Sequence, residues 1–439
     1  MQLVSSFEDL VQQISWVMTT PTAASFLIVL AGWLFARRHT VTGALVAAGE
    51  VRRKHHSAFH RVFASARWSP DAMGLALLAL AWPWAAANGT LFLVLDDTLA
   101  RKRGRKVFGV GMHHDPLISS RGRSLVNWGH SWVILSVLVR LPLLPDRWFA
   151  LPFLFRLYRS KQTVAREGGP YRTRPERAVE MLRLVAERHP GQPFHVLGDA
   201  TYSGQSVVKR LPKGWDLTGR LHPRAALYAP PPAPRAGTRG RRRKRGVRLP
   251  SPVEMLTRGG AEVVTLDLYG RHERARVATA QTLWYATAGS RLLRIVAVEP
   301  LSTGRPRQAF YSTCAEALPV EVLGWFARRW ALEVTIHEAK QHLGFEEPQG
   351  WTRRAVERTA PVAMLLYSLI VLWFAREGHR QVSFPNRPWY RQKREPSFAD
   401  MLAALRRACL RQTFLQTPVW DRRSKKIIQS LMALCSSAA

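Results

Sequence analysis

The sequence predicts a mixed α/β (α+β) chain with a helical N-terminal domain, a core of strands and helices, and a β-rich insertion late in that core. Three observations carry the prediction. Residues 1–88 read mostly as helix, and two short apolar runs further on, Thr90–Leu95 and Phe194–Leu197, each stop at an aspartate. From Glu262 to Tyr311 the chain turns to short β-like runs. At 439 residues it is long enough for two or three domains, or one core carrying a large insertion.

In order, residues 1–88 read as a helical N-terminal domain, a candidate DNA-binding module. Phe7–Met18 is amphipathic, Ala23–Phe35 gives a second helix, and Arg52, Arg53, Lys54, His55 and His56 form a basic cluster. Ser69-Pro70-Asp71 caps an apolar helix over Ala72–Trp82. Residues 89–209 read as the first part of the core. Thr90–Leu95 is a buried strand ending in Asp96-Asp97, ARKRGRK is a turn, Val107–Met112 returns, and Trp128–Val139 is a third strand in a meander. Thr173-Arg174-Pro175-Glu176 is a capping box that starts a helix, and Pro190-Gly191 stops it. The strand Phe194–Leu197 then ends at Gly198-Asp199, and a crossover of this kind leads to a parallel neighbour.

Residues 210–317 read as the insertion. Tyr228–Pro250 is proline-rich and then intensely basic, as a mobile loop would be, and strands follow at Val263–Leu268, Arg274–Thr279, Trp284–Thr287 and Leu292–Val298. Residues 318–378 return to the core, with one helix through Trp325–Lys340 and a buried one at Thr359–Trp373. The C-terminal region, 379–439, is basic, carries Trp389, Tyr390 and Trp420, and is helical at Phe398–Cys409.

Sixty-five Lys and Arg against 30 Asp and Glu leave a net charge of +35, which concentrates polyanions and makes nucleic acid the expected partner. Cys314, Cys409 and Cys435 are far apart and form no CxxC pair, which argues against a disulfide scaffold or zinc ribbon. Two apolar runs, Phe26–Phe35 and Ala360–Ala375, fall short of the ~20 residues of a membrane span, so no membrane partner is expected. The N-terminus has no basic signal-peptide start, and a cytoplasmic, nucleoid-associated protein is the expectation.

Asp96 and Asp199 would stand at the ends of neighbouring strands, and a helical Trp325–Lys340 puts Arg329, Glu333, Ile336, His337 and Lys340 on one stripe. Phosphodiester transfer is commonly solved with two Mg²⁺ ions about 3.5–4 Å apart, held by a few carboxylates. Asp96, Asp199 and Glu333 would serve, since three clustered acids without cations would repel. Arg329 and Lys340 would then hold phosphates of the cut strand. The bland alternative is a solvated Arg329–Glu333 i,i+4 pair.

Phe326, Arg329, Glu333 and Lys340 fall on the four positions of the Y-(2)-R-(3)-E-(6)-K signature, with Phe in place of Tyr at the first. With LxLDDT (Leu93–Thr98) and VLGDATYSG (Val196–Gly204), the chain resembles bacterial insertion-sequence transposases of the DDE type, in the group with a β-rich insertion between the second Asp and the Glu. The resemblance covers roughly Thr90 to Trp373. It implies an RNase H-like catalytic core and Asp96, Asp199 and Glu333 as the catalytic, metal-binding triad. It also implies two Mg²⁺ ions, with Mn²⁺ able to substitute, and cleavage at element ends followed by strand transfer. A homodimer on double-stranded DNA, holding terminal inverted repeats and target, goes with that reaction.

Strand alternation points only one of Asp96 and Asp97 at such a site; Asp96 is favoured because it precedes the second acid as the lone aspartate does in related DxT motifs. Glu338 is rotated about 140° from Glu333 and is the weaker third acid. Tyr202 would order the turn after the second aspartate or touch substrate, and Arg101, Lys102, Arg103, Arg105 and Lys106 would lie along a DNA backbone. Trp284 and Trp351 are candidates to stack on an unpaired base, with core packing the alternative. His113, His114 and Asp115 read as a polar loop, because adjacent residues on an extended loop point apart. The competing functions are a metal-dependent nuclease without strand transfer and a catalytically inactive DNA-binding regulator.

Overall fold

The computed structural model describes residues 1–86, 89–120, 122–233, 242–268, 271–301, 304–382, 384, 393 and 395–415. The chain is mixed α+β and divides into two compact units: Met1–Asn88, Asp97–Tyr171 and Leu332–Ala439 form the first, Gly89–Asp96 and Arg172–Ala331 the second. One strand, β1 (Phe92–Arg101), contributes residues to both.

The first unit opens with five helices: α1 (Ser5–Ser15), α2 (Thr20–Trp33), α3 (Val41–Ala48), α4 (His56–Ala64) and α5 (Pro70–Ala86). Its strands are the second half of β1, β2 (Gly111–His114), β3 (Val126–Leu141) and β4 (Leu144–Tyr158), in the order β2-β3-β1 with β4 also pairing β3. The returning strand expected at Val107–Met112 starts later, as β2 at Gly111, because the chain first turns at Gly109, which takes φ +76°. From Gly129 to Val139 every residue of β3 is buried, since both of its faces are covered. Helices α12 (Trp330–His342), α13 (Arg353–Arg376) and α14 (Phe398–Leu415) follow the short α6 (Lys161–Glu167). By length and composition α13 is apolar enough to cross a membrane, yet 94% of its most apolar window is buried inside the fold. Its one deeply buried cation, Arg358, donates to the carbonyls of Phe63, Ala66 and Trp68 at 2.7–3.3 Å, closing the chain after α4.

The second unit begins with β1, crosses over through α7 (Arg174–Arg188), and returns as β5 (His195–Gly198). The helix starts where the capping box predicts: Thr173 Oγ1 accepts from the Glu176 N–H at 3.3 Å, and the Thr173 N–H donates to Glu176 Oε2 at 2.8 Å. After α8 (Gln205–Val208) comes β6 (Asp216–Leu221). The ribbon β7 (Leu227–Tyr228) and β8 (Arg248–Leu249), α9 (Pro252–Met255), β9 (Glu262–Leu268), β10 (Arg271–Thr282), α10 (Tyr285–Ala288), β11 (Leu293–Pro300), β12 (Gln308–Ser312) and α11 (Pro319–Arg328) complete it. Strand order is β1-β5-β6-β12-β11-β10-β9, parallel over the first three and antiparallel thereafter. Alternation divides the antiparallel part: Val277, Val296 and Phe310 face the α11 residues Val322, Leu323 and Phe326, whereas Ala278 and Ala297 face Leu256 beside α9.

Three local expectations are corrected. Trp284–Thr287 is not a strand, since α10 begins at Tyr285. The described part of the basic loop is anchored, because β7 pairs β8 and the Arg245 guanidinium sits 4.1 Å from the Tyr228 ring centre; residues 234–241 lie outside the described residues. Trp325–Lys340 is two helices with Arg329 between them, where the Arg329 N–H bonds back to Phe326 at 3.2 Å, three residues away instead of four. Trp389, Tyr390 and Trp420 lie outside the described residues, so the C-terminal basic region is described mainly at α14.

Candidate active site

Parallel pairing of β1 with β5 aligns Phe92 with His195 and ends with Leu95 opposite Gly198. The next residue on each strand is therefore an aspartate, Asp96 on one and Asp199 on the other. Neighbouring strands run about 4.8 Å apart, so the two acids leave the ladder side by side. β1 does not stop there as the sequence suggests: it continues through Asp97 to Arg101, because the second half is taken up by β3. Alternation along the continuing strand sends Asp97 to the face opposite Asp96.

Each aspartate is held differently. Asp96 is partly buried and accepts from Arg329 at 2.8 Å. The Arg329 guanidinium also lies 5.5 Å from the Phe326 ring centre, so its planar group is backed by an aromatic face. Asp199 Oδ1 accepts the backbone N–H groups of Thr201 and Tyr202, at 2.9 and 3.3 Å, and so folds the chain sharply after β5. That turn is pinned from two further sides. Ser203 Oγ donates to the Arg220 carbonyl at 3.0 Å, and Tyr311 Oη donates to the Ser203 carbonyl at 2.5 Å. The Ser-Gly after the aspartate hints at the turn in the sequence, but Tyr311, 108 residues away, carries no sequence signal for this role.

Other expected site residues divide clearly. Glu333 lies in the first turn of α12, in the first unit. Lys340 Nζ donates to the Leu99 carbonyl at 2.7 Å and pairs with Glu346 at 3.1 Å, so it ties β1 to the chain after α12 instead of reaching for phosphate. Tyr202 and Phe326 are corrected as DNA contacts because both are buried: Tyr202 is completely enclosed and orders the turn, and Phe326 packs on Phe310 with ring centres 4.6 Å apart. Trp284 packs on Tyr311, 5.5 Å between centres, which fits the packing alternative; Trp351 is exposed.

Within the basic segment the cations separate too. Arg101 is committed to Asp115, at 2.8 Å, and Lys102 Nζ donates to the Glu346 and Pro348 carbonyls at 2.7 and 2.9 Å. Burial pushes the Lys102 ammonium down to about 8, partly offset by Glu346 and Glu347. Arg103, Arg105 and Lys106 are exposed and remain suited to a phosphate backbone. Asp115 is not a solvated loop residue: its side chain is 2% exposed and takes hydrogen bonds from Arg101, Asn127 and the Leu117 N–H. Burial would raise its carboxyl, but those donors together hold it below the ordinary range.

Two carboxylates leaving adjacent parallel strands are hard oxygen donors of the kind Mg²⁺ takes, and a divalent ion needs few protein ligands when it keeps waters. Among the described residues, no three His, Cys, Asp or Glu side chains gather closely enough to hold a metal ion. Asp96 and Asp199 each follow the last paired residue of adjacent parallel strands, and Arg329 supplies positive charge to Asp96 in this structure.

A family model described as DDE superfamily endonuclease matches residues 16–286, more than half of the chain. The match takes in both aspartates and stops before Glu333. No curated protein matches the chain.

Proposed function

Because the chain belongs to the DDE superfamily endonuclease family, we propose that it is a transposase that cuts DNA at the ends of an insertion sequence and joins them to target DNA. The observation that carries this is the pair Asp96 and Asp199, side by side where two parallel strands part, within the matched region. The core is read as RNase H-like on the mixed sheet, with parallel strands carrying the acids and β9–β12 as the family-group insertion. Glu333 is the proposed third acid, on the spacing of Phe326, Arg329, Glu333 and Lys340.

The chemistry proposed is two displacements at phosphorus. A water oxygen attacks at the element end, the P–O3′ bond breaks, and a 3′-OH is left. That 3′-OH then attacks a target phosphodiester, and the target's own 3′-oxygen leaves. A pair of Mg²⁺ ions, or Mn²⁺, would supply activation of the attacking oxygen and charge stabilisation of the leaving one. Asp96 and Asp199 would hold those ions from fixed strand ends, the Asp199 turn being rigid before substrate arrives. Arg329, already beside Asp96, would give up that contact as metal charge replaces its own and would turn to the phosphate. Arg103, Arg105 and Lys106 would hold backbone away from the reacting atoms. Double-stranded DNA, a homodimer holding both ends, and a cytoplasmic, nucleoid-associated location belong to the same proposal.

The test mixes the full chain, Mg²⁺ and a plasmid carrying the inverted repeats that flank the gene. Joined products support transposition, and cut ends without joining support the nuclease reading. Binding of the DNA with neither cutting nor joining supports the DNA-binding regulator, and cutting that Asp96→Asn leaves unchanged overturns the assignment of the acid pair.

A further inference from the structure

The β2–β3 hairpin carries apolar surface that the chemistry above does not use. Its register sets Met112 opposite Trp128 and His114 opposite Val126, so these four share one face; His113 and Asn127 lie on the other. On that second face His113 is buried and Asn127 half-buried. On the outer face Met112 and Val126 are 50% and 54% exposed, and Leu117 and Ile118 at the tip are 76% and 45% exposed. Exposed apolar residues gathered on one hairpin of a folded chain are candidates for a contact surface.

The tip is built to hold its shape. Asp115 accepts from Arg101, Asn127 and the Leu117 N–H, and Ser119 Oγ bridges the Asp115 and Leu125 carbonyls at 2.7 and 3.2 Å. Leu117 and Ile118 are thus presented by a loop cross-linked behind them. The basic segment is fixed to the same hairpin: Trp128 Nε1 donates to the Gly104 carbonyl at 3.2 Å, and the Lys102 N–H donates to the Trp128 carbonyl at 3.0 Å.

Charge decides what this surface meets. Between Arg101 and Trp128 the sequence has seven Lys and Arg against one acid, Asp115, which Arg101 already neutralises. A second copy of the chain would bring like charges together; a polyanion would not. Apolar side chains carried on a cationic frame are what minor-groove proteins press between base steps, with cations on the flanking phosphates. We propose that the β2–β3 hairpin is a DNA wedge, in which Leu117 and Ile118 enter the duplex and unstack a base step while Arg103, Arg105 and Lys106 hold the adjoining backbone. The proposal rests on the DNA-acting reading and adds a surface that deforms the substrate, outside the acid pair.

The experiment uses the full chain without divalent metal, so that no strand is cut, and a set of mixed-sequence duplexes with 2-aminopurine at successive positions. The chain should raise 2-aminopurine fluorescence at a restricted set of steps. Leu117→Ser with Ile118→Ser should abolish most of that rise and weaken binding roughly 3–10-fold, with the salt dependence of binding unchanged. Arg103→Gln with Arg105→Gln should lower the log–log salt slope by about 2 while leaving a rise at saturation. Both pairs are exposed, so folding is not at stake, and circular dichroism would confirm it. An unaltered rise in the Leu117/Ile118 variant, or no rise with the unmodified chain, overturns the wedge. So does a fall in oligomer mass on sedimentation with the DNA response intact, which would make the face a contact between copies. Loss of the transposase reading would show separately, as Asp96→Asn cutting normally.

Discussion

Two aspartates in this molecule each lie 2.8 Å from an arginine, in different surroundings. Asp115, in the first unit, meets Arg101, Asn127 and a backbone N–H, and its side chain is 2% exposed. Asp96, in the second, meets Arg329 with both side chains 14% exposed, one residue beyond the last rung it shares with β5 and beside Asp199. An ion pair closed in by further donors fixes a loop. One placed beside a second carboxylate at a strand end is the proposed place for chemistry. The pairing distance does not separate the two roles; what else each carboxylate faces does.

The largest effect should come from breaking the comparison at Asp96, the proposed reactive end. Asp96→Asn removes charge while keeping an acceptor for Arg329, and DNA cutting with Mg²⁺ should fall by at least about 10³-fold, or ~4 kcal/mol of barrier. Its melting temperature should move by no more than about 2–4 °C. Asp115→Ala should show the reverse balance, costing about 2–4 kcal/mol of stability in a urea titration, because Arg101, Asn127 and the Leu117 N–H lose their acceptor together. If Asp115→Ala is neutral to stability and Asp96→Asn unfolds the chain, the assignment of roles is inverted.

Replacing the arginines sharpens the contrast further. Without metal, Arg329→Leu leaves Asp96 without this partner and should cost about 1–3 kcal/mol. Millimolar Mg²⁺ should recover most of that loss, since a divalent ion replaces the missing charge. Arg101→Leu removes the partner of an enclosed carboxylate that offers no room for such exchange, so Mg²⁺ should leave its melting temperature unmoved. Equal Mg²⁺ responses in the two variants would put the cation-exchange site elsewhere.

The surroundings of Asp96 were the more legible of the two. An apolar run stopped by Asp96, a capped crossover helix and a second short strand stopped by Asp199 are local patterns, and parallel pairing follows from their order. The rest depends on distant partners. Arg329 reads as part of a helical stripe in sequence, yet its carboxylate lies 233 residues away, which no spacing reveals. Aromatic residues near a motif say nothing of the side they face, so Tyr202 and Phe326 read as substrate contacts although both are buried. The strand β4 has no sequence assignment because Pro145 and Pro152 interrupt it; the structure accommodates Pro152 opposite Ser136, where the register with β3 shifts. Asp115 reads as a loop residue because its donors arrive from three separate segments of chain.

Acid should soften the region around Asp115 before that carboxylate is itself touched. His130, on β3, is buried with Nε2 on the Phe108 carbonyl at 2.8 Å; burial first, then the charge of Lys102, pushes its imidazole from 6.5 down to about 3. The folded value lies below the unfolded one, so between them the unfolded chain binds the extra proton. Stability is therefore complete above about pH 6.5 and is lost as pH falls toward 3, at up to about 1.4 kcal/mol per unit. From pH 7 to pH 5 this one histidine should account for roughly 1–2 kcal/mol, whereas Asp115, whose carboxyl is lowered, loses its contribution only further into acid. His130→Gln keeps a donor for Phe108 and should flatten the urea midpoint between pH 7 and 5 by that amount. His195 in the other unit, lowered to about 4 chiefly by burial, is the matched control: His195→Gln should flatten the same profile, with hydrogen exchange placing the acid-sensitive opening at β5 and β6 instead of the hairpin. A profile unchanged by His130→Gln would mean that water reaches this ring, and that the frame behind the hairpin is looser than its hydrogen bonds imply.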